Sequence, residues 1–242
     1  MTKLYIEPAS SERKYRRLAA LGKELGVPVP QAFLEMEVTM PDGRVVHHHR
    51  QRSHSWVRNA YNILFSGLAE VNLNAIGAAF GAGSLWVKDT SGVLLSGAFA
   101  AGPQVNVSIA LAGKGYISGA GLVLMGIDVG SGANVESFED FVLQTPITNG
   151  SGAGQLDYAA SLAWVVAYDG PSKTMSATFV RFMNNNSVGN VLVNEVVLVA
   201  SMYANNAIQN LVTSRDHLAA TVTIPATGQL KVTYVISLVY PF

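Results

Sequence analysis

Apolar and polar residues alternate from Phe33 to Met40. Leu34, Met36, Val38 and Met40 fall on one face, and Phe33, Glu35, Glu37 and Thr39 on the other. A period of two predicts a strand with one buried face. Pro41-Asp42-Gly43 is turn chemistry, so a return strand is expected from Arg44 into His47. Further along, short runs rich in Val, Ile, Thr, Phe and Tyr are bounded by Gly, Asn, Ser or Pro. They predict strands at 141–144, 158–168, 175–183, 191–202, 219–224 and 230–239. Briefer candidates at 84–88, 93–96, 105–110 and 121–125 lie in an Ala/Gly-rich stretch, with Asp89 to Gly92 as a hairpin turn. This spacing predicts a mainly β fold, an antiparallel β-sandwich of jelly-roll type.

Two segments in the N-terminal third carry the helical period instead. From a cap at Ser10 or Ser11 to Leu25, the residues Tyr15, Leu18, Leu21 and Leu25 share a face, and Gly26 and Pro28 stop the helix. Such a helix can dock on a neighbouring chain or on its own sheet. A second helix is expected over 55–70, with Trp56, Val57, Ala60, Tyr61, Leu64, Phe65 and Leu68 on a wide apolar stripe. The chain therefore divides into an N-terminal extension, 1–30, and a β-sandwich domain, 31–242, that includes the second helix.

Composition changes the picture in one respect. Among 242 residues, 49% are hydrophobic and only 13% charged, against about 25% charged in an ordinary soluble domain. Either a polar uncharged exterior covers a large core, or other subunits cover apolar surface; the depletion of charge favours assembly. Net charge is zero, yet the first 60 residues hold ten of the 16 Lys and Arg and six of the 16 acids. That stretch is four positive and the rest four negative, an asymmetry that can pair between subunits. Cysteine is absent, which excludes disulfides and thiolate chemistry. No apolar signal region opens the chain and Gly92–Gly113 is interrupted by polar residues, so neither a secretory signal nor a membrane span is expected.

Candidate chemistry is sparse. His47, His48 and His49 precede Arg50, Arg52 and His54. On a strand His47 and His49 share a face, but no third metal ligand is spaced to join them, and a polar strand facing solvent or a partner is the expectation. Arg44, Arg50, Arg52 and Arg58 with Trp56 and Tyr61 could meet nucleic acid, but a pI near 7.0 argues against it. There is no G-x-S-x-G elbow, phosphate loop or dinucleotide fingerprint. Gly130-Ser131-Gly132 and Gly150 to Gly154 are glycine loops without that context. Glu139-Asp140 is expected in a solvated loop, and Asn184 to Ser187 in a turn. Ser214, Asp216 and His217 are adjacent, which is not triad geometry. No catalysis, cofactor or metal is expected.

Several strings resemble structural proteins of tailed bacteriophages. They are Arg52-Ser-His-Ser-Trp-Val-Arg-Asn59; Gly126-Ile-Asp-Val-Gly-Ser-Gly132 with Phe138-Glu-Asp-Phe-Val-Leu143; Thr178 to Ser187 running into Val193 to Leu198; and Arg215-Asp216 with the closing strands. The resemblance covers roughly 44–70 and 120–240. It implies a virion component that decorates capsids, builds head fibres or sits on tails, made in the host bacterial cytoplasm and docking on major capsid or tail proteins. A homo-oligomer, as a trimer, is the expected state, with Arg50, Arg52, Trp56 and Arg58 near its interface; membrane and nucleic acid are not expected partners. The alternative is a receptor- or glycan-binding tip, for which Tyr203 to Asn206 and Tyr168-Asp169 are the candidates.

Overall fold

A computed structural model describes residues 2–6, 9–69, 86–95, 115–204 and 207–240. The elements run β1 (Lys3–Ile6), α1 (Ala9–Leu25), β2 (Pro30–Thr39), β3 (Val45–Ser53), α2 (Arg58–Ala69), β4 (Val87–Lys88) and β5 (Leu94–Leu95). Then follow β6 (Gly126–Gly130), β7 (Asp157–Tyr158), β8 (Val165–Asp169), β9 (Thr174–Asn184), β10 (Val191–Ala204), β11 (Ala207–Ile224) and β12 (Gln229–Val239). The fold is mainly β, with helices in the N-terminal third.

The larger sheet has seven strands in the order β1-β3-β2-β12-β9-β7, with β8 also paired to β9. Its central strands obey the period of two: Leu34, Met36 and Val38 of β2 and Leu230, Val232 and Tyr234 of β12 are wholly buried. Each such apolar side chain contributes roughly 1.5–3 kcal/mol when removed from water. Pro41, Asp42 and Gly43 form the β2–β3 turn; Gly43 (φ 81°) donates to the Met40 carbonyl and Asp42 accepts from the Arg44 amide.

The smaller sheet has the order β11-β10-β6. Its Ile127, Val129, Val193, Leu198 and Val222 join the inward residues of the larger sheet in one apolar cluster. Its opposite face is covered too, since Val197, Val199 and Val212 pack with Val57 and Leu143. Burial on both faces explains why β10 reads as a continuous apolar run instead of alternating. Register shifts between Val193 and Glu195 and between Leu198 and Val199 mark irregularities against β11.

Several expectations need correction. The sheet is not wholly antiparallel, because β1 pairs parallel with β3, Lys3 opposite His47 and Ile6 opposite Arg50. The return strand reaches Ser53, beyond the expected end at His47. Residues 141–144 are not a strand, whereas Gly126–Gly130 is one, and of the expected glycine loop Gly130-Ser131-Gly132 only Gly130 belongs to it. The run 158–168 breaks into β7 and β8. β11 starts at Ala207, not 219. The candidate strand at 105–110 lies outside the described residues, as do Asn205 and Asn206.

α1 ends as expected. Gly26 (φ 67°) donates to the Lys23 carbonyl and Val27 to that of Gly22, the paired bonds of a Schellman cap. Its orientation differs from the expectation. Leu18, Leu21 and Leu25 are exposed, at 47%, 48% and 65%. The residues turned inward are Glu12, Tyr15, Ala19 and Gly22. A Cβ on Gly22 would lie 2.5 Å from Val29 Cγ2, so only glycine lets the helix approach this closely.

Candidate functional site

Among the described residues, the charged side chains Asp128, Arg181, Glu195, Arg215 and Asp216 of the apolar strands are gathered in three buried centres. Arg181 of β9 is wholly buried, and its Nη1 sits 2.6 Å from Asp128 of β6. The guanidinium also donates to the carbonyls of Ala159, Met125, Ile127, Gly119 and Leu122. It thereby fastens the 119–125 turn and the segment after β7 to the sheet. Burial raises the Asp128 pKa to about 6, against the opposing pull of Arg181.

The second centre lies on the outer face of the smaller sheet. Glu195 of β10 is wholly buried, and its carboxylate accepts the amides of Gly132, Gln144 and Thr145. Arg215 of β11 donates to Glu195 at 2.8 Å, to Asp140 at 2.8 Å, and to the carbonyls of Asn134 and Val135. Together they staple the 131–147 loop down. A Cβ on Gly132 would come 2.5 Å from Glu195 Oε1, and one on Gly130 2.7 Å from the Thr145 carbonyl. Those glycines make room for the carboxylate.

The third centre lies between the sheets. Tyr234 of β12 donates to Asp216 of β11 at 3.0 Å; Ser214 donates to the same carboxylate at 3.2 Å, and Ser53 bonds both hydroxyls. Burial holds Asp216 above the ordinary carboxylate range, partly offset by Ser53 and Tyr234. The segment leaving β3 runs along the edge of β11, with Val57 donating to Thr213 and Arg215 to Ser55.

The four residues expected at an interface occupy two places. Arg52 is only 4% exposed. It makes a bidentate pair with Glu12, with bonds of 2.9 and 3.0 Å, donates to Gln31, and lies 4.2 Å over Tyr15 and 4.4 Å over Phe33. It holds α1 on the sheet. Arg50, two residues back on the same face, is exposed and lies 5.0 Å over Phe33. Trp56 is half-buried against the apolar core and lines a shallow hollow with Pro30, Ala60, Tyr61 and Leu64. Arg58 caps the loop beyond it by pairing with Glu139 and lying 5.0 Å over Phe138.

The histidine strand is not the solvent-facing one expected. His47 and His49 are buried, and Tyr5 of β1 stacks on His49 at 4.5 Å. Gln51 donates to the His217 carbonyl and accepts from the Ala219 amide. Its amide orientation is thus fixed, so the His49 Nε2 at 2.8 Å must be the donor. Burial lowers the pKa of both rings. His48, on the other face, bonds Glu35 at 2.7 Å.

Apolar side chains remain at the rim. β8 is exposed along its whole length and, among the described residues, pairs with β9 alone. Val165, Val166 and Tyr168 project from it, Trp164 precedes it, and Tyr168 stacks on Tyr240 at 5.9 Å. At the opposite rim, Leu4 and Ile6 of β1 are exposed. Natural edge strands carry lysine, proline or bulges that discourage pairing; β8, Val-Val-Ala-Tyr-Asp, carries none of these.

Sequence patterning did not locate the buried centres. The available signal was a lone charge within an apolar run, as at Arg181 in Phe-Val-Arg-Phe-Met and Glu195 in Val-Asn-Glu-Val-Val. Such a charge must be paired, but its partner lies far away in sequence. Compared with known proteins, the chain matches no family model, no curated protein and no solved structure.

Proposed function

We propose that this protein is a non-enzymatic structural component of a bacteriophage virion, a β-sandwich that assembles with copies of itself and docks on the capsid or tail. The observation that carries the reading is the open, apolar edge strand β8. The low charge content and the phage-like strings support it. The strings that carry the resemblance hold the staple residues: Asp128, Gly130 and Gly132 in one, Arg181 in another, Glu195 and Arg215 in the rest. That is the pattern of a body selected for rigidity. Two sheets sharing one core support the sandwich; sheets of seven and three strands make it an unequal one.

The strand directions suggest how copies meet. β1 is parallel to β3, and each step from β3 through β2, β12 and β9 to β8 is antiparallel. β1 and β8 therefore point the same way on opposite edges of one sheet. Pairing β8 with a neighbour's β1 in parallel is a head-to-tail contact, and under cyclic symmetry it closes a ring. A trimer is the ring we propose. The exposed leucines of α1 lie on the N-terminal part of the same chain and would be covered there or on the particle.

Mass photometry of the purified chain tests this. A species of about three times the 25.7 kDa chain is expected, collapsing to monomer in Val166→Lys without loss of thermal stability. A wild-type chain that stays monomeric at micromolar concentration defeats the proposal. Binding of the chain to particles lacking it tests docking. The exposed stack of Tyr168 on Tyr240 favours one second reading, a receptor- or glycan-binding tip, which a glycan array would reveal.

A further inference from the structure

His54, Glu136 and Asp216 come together where the chain leaves β3 and crosses the edge of β11. Each offers a ligand atom, and the three atoms lie within 4.8 Å of one another. They come from three separate pieces of the fold: the exit of β3, the 131–147 loop and β11. One imidazole nitrogen and two carboxylate oxygens suit a borderline divalent cation, with water completing the coordination.

An independent observation concerns charge. Among the described residues, three carboxylates are buried to 1% exposure or less: Asp128, Glu195 and Asp216. Asp128 has Arg181 at 2.6 Å and Glu195 has Arg215 at 2.8 Å. Among the described residues, Asp216 has no lysine or arginine partner, and neither has Glu136. A buried carboxylate without a counter-charge is costly, and here a second carboxylate stands beside it. What the position lacks is positive charge.

The carboxylates are also oriented from behind. Tyr234 and Ser214 donate to Asp216 Oδ2, and the His54 amide to Oδ1 at 3.2 Å. The His217 amide donates to Glu136 Oε1 at 3.0 Å, and the His54 ring bonds the Ser55 hydroxyl at 3.0 Å. Outer hydrogen bonds of this kind hold metal ligands in place. Calcium prefers six or more oxygens, and an imidazole in the set argues against it. We propose that His54, Glu136 and Asp216 bind one divalent transition-series cation, of which zinc is the type, clamping the end of β3 and the 131–147 loop to β11.

The site is independent of the edge strands, so its test does not depend on assembly. The full chain, freed of metal with a chelator, is titrated with zinc chloride by calorimetry, and cobalt is added separately to read its visible absorption. One equivalent of zinc is expected to bind, with a cobalt spectrum and a raised thermal midpoint. Asp216→Asn can fail to fold, so the decisive variants are His54→Gln and Glu136→Gln, in which the altered side chains are not wholly buried. Each should weaken zinc by roughly 100-fold or more, at least the loss that removing an outer-shell partner causes. His48→Gln, on the far side of β3, should leave it unchanged, as should the edge variant Val166→Lys. Absence of zinc binding, or binding unaltered in both His54→Gln and Glu136→Gln, overturns the assignment.

Discussion

Asp128 and Arg181 leave water as a pair, and the energetics of that transfer are lopsided. The pair itself adds little net stability, because desolvation of both ions offsets their attraction. Removing one partner is different, since it strands the other charge. The sign with pH follows from the shift. The ordinary pKa of the carboxyl is 3.8, and in the folded chain it is about 6. The fold therefore holds the proton more tightly than the unfolded chain does, and this group's contribution to stability falls as pH rises from 3.8 through about 6. Arg181→Met removes the guanidinium that opposes burial, so the carboxyl pKa rises further. The variant should lose about 3–5 kcal/mol near pH 7.5 and clearly less near pH 5, where the acid is neutral. Urea denaturation at the two pH values measures this. Equal losses would show that the cost comes from the orphaned carbonyls around Arg181 and not from Asp128.

At the scale of elements, α1 is held by few contacts of high quality. Burial pushes the Glu12 carboxyl up, but the hydrogen bonds and charge of Arg52, then of Arg16, outweigh it and hold it below the ordinary value of 4.5. The stabilisation is therefore present above that pH and lost as pH falls through the depressed pKa. Glu12 is partly exposed, so the bond is discounted for solvent to about 1 kcal/mol. Glu12→Gln should speed amide exchange across α1 roughly five- to tenfold at neutral pH, while β2 and β12 keep their protection. Uniform acceleration would mean that α1 is part of the global fold and not a docked arm. The C-terminal end of α1 was legible from Gly26 and Pro28, β2 from simple alternation, and β9 and β12 from short β-branched and aromatic runs between turn residues; Ser10 and Ser11, expected to cap α1, lie inside a helix that starts at Ala9. The inward face of α1 was not legible, because Gly22 and the buried Arg52, not the leucines, decide it. The first two-thirds of β11 were missed for a related reason. Its Asn210, Ser214, Arg215, Asp216 and His217 read as loop chemistry, yet Ser214, Arg215 and Asp216 are buried because each has a partner across the fold.

For the whole molecule, two kinds of association make opposite claims about salt. The four positive charges of the first 60 residues and the four negative ones of the rest could drive contact between copies. Arg58, however, is already paired within the chain with Glu139, an acid of the remainder. That spends part of the basic excess internally. The net charge of zero also removes long-range repulsion between copies at neutral pH. What the rim offers instead is strand backbone and apolar side chains at β8 and β1, whose burial is insensitive to screening and is strengthened by sulfate. Raising sodium chloride from about 0.05 to about 0.5 M shortens the screening length to a few ångströms. Self-association measured by sedimentation velocity should then change by less than about threefold, and ammonium sulfate should tighten it. A tenfold or greater weakening in sodium chloride would assign the contact to the charge asymmetry and would move the interface from the β8 edge to the basic N-terminal stretch.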